Sequence, residues 1–260
     1  RIITNIISTV SSVKNNELSY NHIPAISLAQ DPQKSVGHIV SLLWFQKELP
    51  DFAIEFINLV LKLTADHGPN VAGAHNTIVA SRAGKDLVSS LAAGLLTIGP
   101  RFGGVSGKAA KNWFTCVSNE TIPRQFVDDM KEMNEKIPGI GHRVKSRFNP
   151  DARVQILEKF VHTHTEHHYY LDFARSVENL TLQKNHKLIL NIDGAIGATT
   201  LDILKATQFT DDEIEGIIDN DVIDGLFVLS RSIGLIAHHI DQKRLGSPLY
   251  RHDPHDVFIG

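Results

Sequence analysis

Three short segments of this 260-residue chain each set a titratable side chain against glycine or proline: His67 in ADHGP, His142 in PGIGHRVK and Asp193 in NIDG. Imidazole and carboxyl groups are the side chains that take up and release protons in acid–base chemistry. Each segment falls at the expected end of a helix or strand, where a rigid element can aim a side chain and glycine leaves room for a ligand. Position alone leaves a structural alternative open. A histidine near a helix C-terminus, as His67 is placed, favours the negative end of the dipole, and Asp-Gly is a common turn. Two other patterns carry less. HTHTEHH brings His162, His164, His167 and His168 together, and His164 and His168 fall one turn apart in a helix, a spacing that can hold zinc. No cysteine or carboxylate frame accompanies them, so they read as solvent-facing and no metal is expected. RFGGVSGKA has neither the spacing of a phosphate-binding loop nor a strand ahead of it.

The elements that must position these groups are mainly helical. From Ala53 to Ala65, Ile54, Phe56, Ile57, Val60, Leu61 and Leu63 form a wide apolar stripe, which predicts a largely buried helix. From Asn76 to Gly99 the chain is rich in Ala, Ser and Gly, and it reads as two buried helices meeting near Gly84 and packed closely. Pro123 at a first helical position opens a helix toward Lys136, and Asn149-Pro150 does the same for Asp151 to about His164. Thr210 followed by Glu213 is a capping box. A long helix is expected from about Gly225 to Leu245, with Leu226, Leu229, Ile233, Ile236 and Ile240 as its stripe and Gly246 as its stop. Phe227, Arg231, Gly234 and His238 share a different face of it. Strand signals are sparse: ELSYNHIPAISLA suits a short hairpin or extended segment, and LILNID an extended run or the end of a helix. Polar breaks at 14–17, 146–150 and 182–187 are all short, and the more polar section 105–185 is expected to form a smaller lobe beside a large helical domain.

Composition narrows the partners. Lys plus Arg total 26 against 29 Asp plus Glu, with no basic block or arm, so nucleic acid is not expected. A single cysteine, Cys116, cannot form an internal disulfide, which points to a reducing, cytoplasmic compartment. No apolar run reaches the roughly 18 residues that span a bilayer, and no signal peptide is evident, so no membrane partner is expected. The chain starts at Arg1, not Met, which suggests a piece cut from something longer.

Long stretches of the sequence resemble one family. LTADHGPNVAGAHNT, RAGKDLVSSLAAGLLTIGPRFGG, PGIGHRVKSRFNPDARVQIL, NIDGAIG and HHIDQKRLGSPLYRHDP are together similar to the C-terminal citryl-CoA lyase module of the ATP-citrate lyases, within the citrate synthase superfamily. The likeness runs from LSYNHIP and SLLWFQKELP almost to the end, so residues 1–260 are expected to be one module with a citrate synthase-like fold. That resemblance implies a catalytic set of His67, His142 and Asp193. It implies that Arg153 in NPDAR, Arg231 in LSRS and Arg251 in LYRH hold the carboxylates of citrate or oxaloacetate, a task suited to guanidinium forks. Read without the family, Arg231 is an exposed helix arginine.

The family also implies that Arg251 is contributed by a neighbouring subunit, and so a homo-oligomer, dimer or tetramer. Coenzyme A is the expected cosubstrate, with Pro138, Gly139, Ile140 and Gly141 offering backbone N–H groups to it and Lys145 either meeting a CoA phosphate or standing solvated. The implied reaction cleaves citryl-CoA to acetyl-CoA and oxaloacetate. By reversal of citrate synthase, His142 would handle the hydroxyl, His67 would donate to the enolate oxygen, and Asp193 would protonate the departing carbon. Either His142 or Asp193 could be the group that deprotonates the hydroxyl. No ATP-binding segment is present, so citrate activation would belong to other domains or subunits. Two alternatives are a citrate synthase, condensing acetyl-CoA with oxaloacetate, and an oligomeric assembly core of a larger enzyme.

Overall fold

The computed structural model describes residues 8–99 and 103–258; Arg1 and residues 100–102 of the family-like segments lie outside the described residues. Among the described residues the chain is mainly α, as expected, with twelve α-helices and one three-stranded sheet. The sheet is a small antiparallel meander of β1 (Ser11–Lys14), β2 (Glu17–Tyr20) and β3 (Ile23–Pro24). Its first turn is Asn15-Asn16, both at positive φ (52° and 62°), the conformation that joins two strands through a tight two-residue loop. The polar break at 14–17 is therefore a hairpin turn, and β1 ahead of it is an element the sequence did not announce.

α1 (Ala25–Gln30) and α2 (Val36–Val40), the latter running into a π-turn at Ser41–Phe45, lead to α3 (Asp51–Thr64). The expected stripe of α3 is buried at Ile54, Phe56, Ile57, Val60 and Leu61. α4 (Ala72–Arg82) and α5 (Leu87–Leu95) form a helical hairpin about Gly84, at φ +83°. Their backbones come so close that a Cβ on Gly94 would lie 2.9 Å from the Gly73 carbonyl oxygen. The expectation that both are buried holds only in part, because α5 buries Ser90 and Gly94 and leaves Leu87, Val88 and the following Leu96 exposed. Its small residues serve contact with α4, which needs no general burial.

α6 (Ser106–Ser118), α7 (Pro123–Glu132), α8 (Ala152–His164), α9 (Tyr169–Leu182), α10 (Ile192–Ala206), α11 (Asp211–Asp219) and α12 (Val222–Leu245) complete the chain. Pro123 is the first residue of α7, and the Thr210–Glu213 box opens α11, both as expected. Asn149-Pro150 departs from expectation: Asp151 caps α8 by accepting from the Arg153 N–H, so Pro150 stands ahead of the cap.

α10 is the central helix. It packs on α6, α8, α9, α3 and α12, and every residue from Gly194 to Leu204 is buried. A helix buried all round carries no amphipathic stripe, which is why periodicity missed it. LILNID is extended up to Leu190, which bridges to Ile140, as one of its two expected readings has it, and then starts a helix rather than ending one, with Asn191 capping α10. On α12 the expected stripe holds only in part: Leu226 is buried and Leu229 packs against the core. Ile233 and Ile240 are exposed, whereas Phe227, Arg231 and Gly234 face inward. No helix among the described residues is long and apolar enough to cross a membrane.

Candidate active site

His67 follows the C-terminus of α3, where a helix leaves its last carbonyls without intrahelical partners. α12 supplies donors for them. Ser230 Oγ donates to the Leu61 carbonyl at 2.5 Å, Arg231 Nε to Thr64 at 3.2 Å, and the Gly234 N–H to Ala65 at 3.1 Å. Asp66 continues the seam, with Oδ1 3.0 Å from His238 Nε2 and Oδ2 accepting from the Gly68 N–H at 3.0 Å. Against partial burial, those N–H groups and the His238 ring hold the Asp66 carboxyl below its ordinary range. His67, fixed between Asp66 and Gly68, keeps an exposed edge at the mouth of a cavity. Desolvation of its ring and the nearby Arg153 and Arg231 guanidiniums push its proton affinity down.

His142 sits on a loop pinned to the segment before α10. The Gly141 N–H donates to Ile189 O at 2.7 Å and the His142 N–H to Lys187 O at 3.0 Å. His142 Nδ1 accepts two backbone N–H groups, from Val144 at 3.0 Å and Lys145 at 2.8 Å. An acceptor Nδ1 puts the proton of the neutral ring on Nε2. Burial first, then the cations Arg153 and Lys145 working against Asp151, lowers the proton affinity of the ring, so His142 is a neutral Nε2–H donor near pH 7.

Asp193 lies in the first turn of α10. Asn191 caps that helix by accepting the Gly194 N–H at 3.1 Å, and its Nδ2 donates to Gly141 O at 2.9 Å, tying the Asp193 turn to the His142 loop. Gly139 and Gly194 meet backbone to backbone: a Cβ on Gly139, itself at φ +83°, would come 2.5 Å from Gly194 Cα. Burial raises the Asp193 carboxyl above its ordinary range even though Ser106 Oγ donates to Oδ1 at 3.1 Å and two arginines lie near. Proximity to the carboxylate of Asp224 adds to the rise.

Arg153 is clamped by the buried Asp151, Nε to Oδ1 at 3.0 Å and Nη2 to Oδ2 at 2.6 Å, the bidentate geometry that fixes a guanidinium plane. Arg231 is only 2% exposed and stacks 4.6 Å over the Phe227 ring, so the exposed-arginine reading fails. Burial also pushes its guanidinium below the usual value.

His67, His142, Asp193, Arg153 and Arg231 thus line one cavity of about 200 Å³, with Phe227 in its wall and Asp193 as its one carboxylate among the described residues. His142 also lines a groove of about 760 Å³, apolar at Ile137, Ile140 and Leu188 and basic at Lys131, Lys136, Arg143 and Lys184. Two neutral imidazoles, a carboxyl of raised proton affinity and two guanidiniums suit proton transfer on a small polyanion.

The other expected residues lie elsewhere. Ile140 and Gly141 line the groove, but their N–H groups are donated to Ile137 O and Ile189 O, so those amides are structural. Pro138 and Gly139 do not line it, and Gly139 serves the contact with α10. Lys145 Nζ bonds Asn149 Oδ1 at 3.3 Å. Arg251 is exposed and does not line the cavity of its own chain. In HTHTEHH, His164 bonds the Phe160 carbonyl and His168 bonds Asp172, and among the described residues no group of three or more potential metal ligands converges. Reading the sequence missed Ser106, Asp151, Asn191 and Asp224. Asn191 ahead of NIDG's helix and Asp151 ahead of Arg153 had cap signals; Ser106 and Asp224 had none.

Comparison with known proteins gives the same picture. The family described as citrate synthase, C-terminal domain, matches residues 3–253. ATP-citrate synthase beta chain protein 1 of Oryza sativa subsp. japonica is 49% identical over 255 residues, 98% of this chain and 42% of the rice protein. The ATP citrate lyase of Methanothrix soehngenii, solved in complex with citrate and coenzyme A, superposes with a TM-score of 0.93 at 46% identity, covering 100% of this chain and 42% of that one. A mutant of the Methanosaeta concilii ATP citrate lyase in complex with (3S)-citryl-CoA superposes at 0.94 with 46% identity and the same coverage. The chain spans less than half the length of these relatives.

Proposed function

The chain belongs to the citrate synthase family, and we propose that it is the citryl-CoA lyase module of an ATP-citrate lyase, cleaving citryl-CoA to acetyl-CoA and oxaloacetate. The observation that carries this is the meeting of His67, His142 and Asp193 with Arg153 and Arg231 in one small cavity that adjoins a basic groove. In the reaction, the carbinol O–H loses its proton and its electron pair forms the oxaloacetate carbonyl. The C–C bond to the acetyl CH₂ breaks, its electrons pass into the thioester enolate, and a proton then closes the methyl group.

The side-chain environments support one division of the steps. His142, its Nδ1 occupied by two amides, meets the substrate oxygen as an Nε2–H donor. Asp193 is then the group to take the hydroxyl proton and return it to the departing carbon, for which a raised proton affinity is suited. His67 donates to the enolate oxygen, while Arg153 and Arg231 hold substrate carboxylates. Lys131, Lys136, Arg143 and Lys184 offer positive charge to the CoA phosphates, with Ile140 and Gly141 against the pantetheine or adenine. Residues 105–185, which carry α6 to α9 and much of this groove, form the smaller lobe.

The proposal extends to assembly. α5 and α12 pack on each other and carry exposed apolar residues, Val88 (75%) and Ile233 (55%), with Leu96 (86%) just after α5, apolar surface that a second copy would cover. The C-terminal segment runs beside α4 of the same chain, where Arg82 Nε donates to the Pro248 carbonyl at 2.6 Å, and the exposed Arg251, which does not line its own chain's cavity, would serve the neighbour's. Citrate activation falls to the remainder of the larger enzyme, in the cytoplasm. The test is product identity. Supplied with citryl-CoA, the protein should release acetyl-CoA and oxaloacetate. Rapid hydrolytic formation of free citrate and CoA from acetyl-CoA and oxaloacetate would instead make it a citrate synthase.

A further inference from the structure

Asp193 is held from outside its own helix. Ser106, the first residue of α6 and fully buried, donates from Oγ to Asp193 Oδ1 at 3.1 Å. The next N–H of α6, that of Gly107, is donated to Asp224 Oδ1 on α12 at 2.9 Å, and the Ser106 N–H bonds the same carboxyl. The α6 cap residue, Val105, has no side chain able to do this, so an aspartate six helices along the chain, on α12, closes the α6 N-terminus with its negative charge. Gly107 fits that arrangement, since a Cβ there would come 2.7 Å from Asp224 Oδ2.

We infer that Ser106 and Asp224 are paired positioning residues for Asp193: Ser106 orients the carboxylate through its hydroxyl, and Asp224 orients Ser106 through the α6 N-terminus. The two bear on the ionisation of Asp193 with opposite sign. A hydroxyl donating to a carboxylate favours the charged form, while a neighbouring carboxylate disfavours it. The other charged or titratable groups facing Asp193 are Arg231 from α12, Arg153 from α8, and His67 and His142 from their loops. The bearing on catalysis rests on Asp193 being the proton-transferring group proposed above; the bearing on its ionisation does not.

The test therefore reads both. Protein labelled with ¹³C at aspartate carboxyls is titrated by NMR, with Asp193 assigned by its absence in Asp193→Asn, and the pH profile of citryl-CoA cleavage is recorded alongside. Ser106→Ala should raise the Asp193 midpoint by about one pH unit, about tenfold in proton affinity, and Ser106→Cys, a weaker donor, should raise it less. Asp224→Asn keeps an oxygen for Gly107 and should lower the midpoint. The Asp193 limb of the rate profile should move in step. Midpoints that stay put, or move the same way in the Ser106 and Asp224 variants, overturn the pairing. Midpoints that separate as expected while the rate profile does not move uphold the pairing and remove Asp193 from the reaction.

Discussion

The end of α3 and the start of α10 deliver the two sides of the cavity, and they are finished in different ways. α10 is capped by the residue that precedes it: Asn191 accepts the Gly194 N–H, the usual short-range solution to orphan donors at a helix start. α3 is finished by another helix, since Ser230, Arg231 and Gly234, about 170 residues away, donate to the carbonyls of Leu61, Thr64 and Ala65. A local cap positions a side chain relative to its own helix. A cap from across the fold positions it relative to a second element as well, so the α12 seam fixes His67 and Arg231 against each other in one act.

Substitutions along the two ends separate these modes. The largest effect is expected at Gly234→Ala, where a Cβ would overlap the Ala65 carbonyl oxygen and force α12 off α3. A loss of about 3 kcal/mol or more is expected for such overpacking, visible as a large fall in thermal midpoint, and a near-normal midpoint would mean the seam is loose. Ser230→Ala removes one buried donor and should cost about 1–2 kcal/mol in chemical denaturation. Asn191→Ala should cost about 1 kcal/mol and, because Asn191 Nδ2 also ties down Gly141, should lower the cleavage rate more than Ser230→Ala does.

A separate effect is one of pH. Asp202 on α10 caps α9 from a distance, accepting the N–H groups of Tyr170 and Leu171, and burial pushes its carboxyl up to about 7 from an ordinary 3.8. A carboxyl raised in the folded state binds protons more tightly there than in the unfolded chain. Its contribution is therefore fully present below about pH 4 and is lost as pH rises through 7. Asp202→Asn should flatten that decline in urea titrations between pH 4 and 7; an unchanged slope would place the proton uptake elsewhere.

The same division explains what the sequence made legible. Thr210–Glu213, Pro123 and Gly246 act on their own helices, and each was readable from a few residues. Asp224, capping α6 from α12, and Asp202, capping α9 from α10, act across the fold, and nothing near them in the chain announces it. α10 was missed because burial on every side erases the stripe, and the α12 stripe holds at Leu226 but fails at Ile233 and Ile240, which are outward while a buried arginine faces in. The proposed catalytic set shows both halves of this. Turn contexts gave His67, His142 and Asp193 as separate candidates and family-like segments joined them, whereas the His142 tautomer depends on amides that only the folded loop brings to Nδ1.

The measurement that bears most directly on this account is the rate of oxaloacetate release from citryl-CoA by the protein and by its Asp193→Asn variant. The account predicts cleavage by the unaltered protein and a loss of about 10²- to 10⁴-fold in the variant, with its thermal midpoint kept. Cleavage at the full rate by a folded Asp193→Asn variant would contradict it.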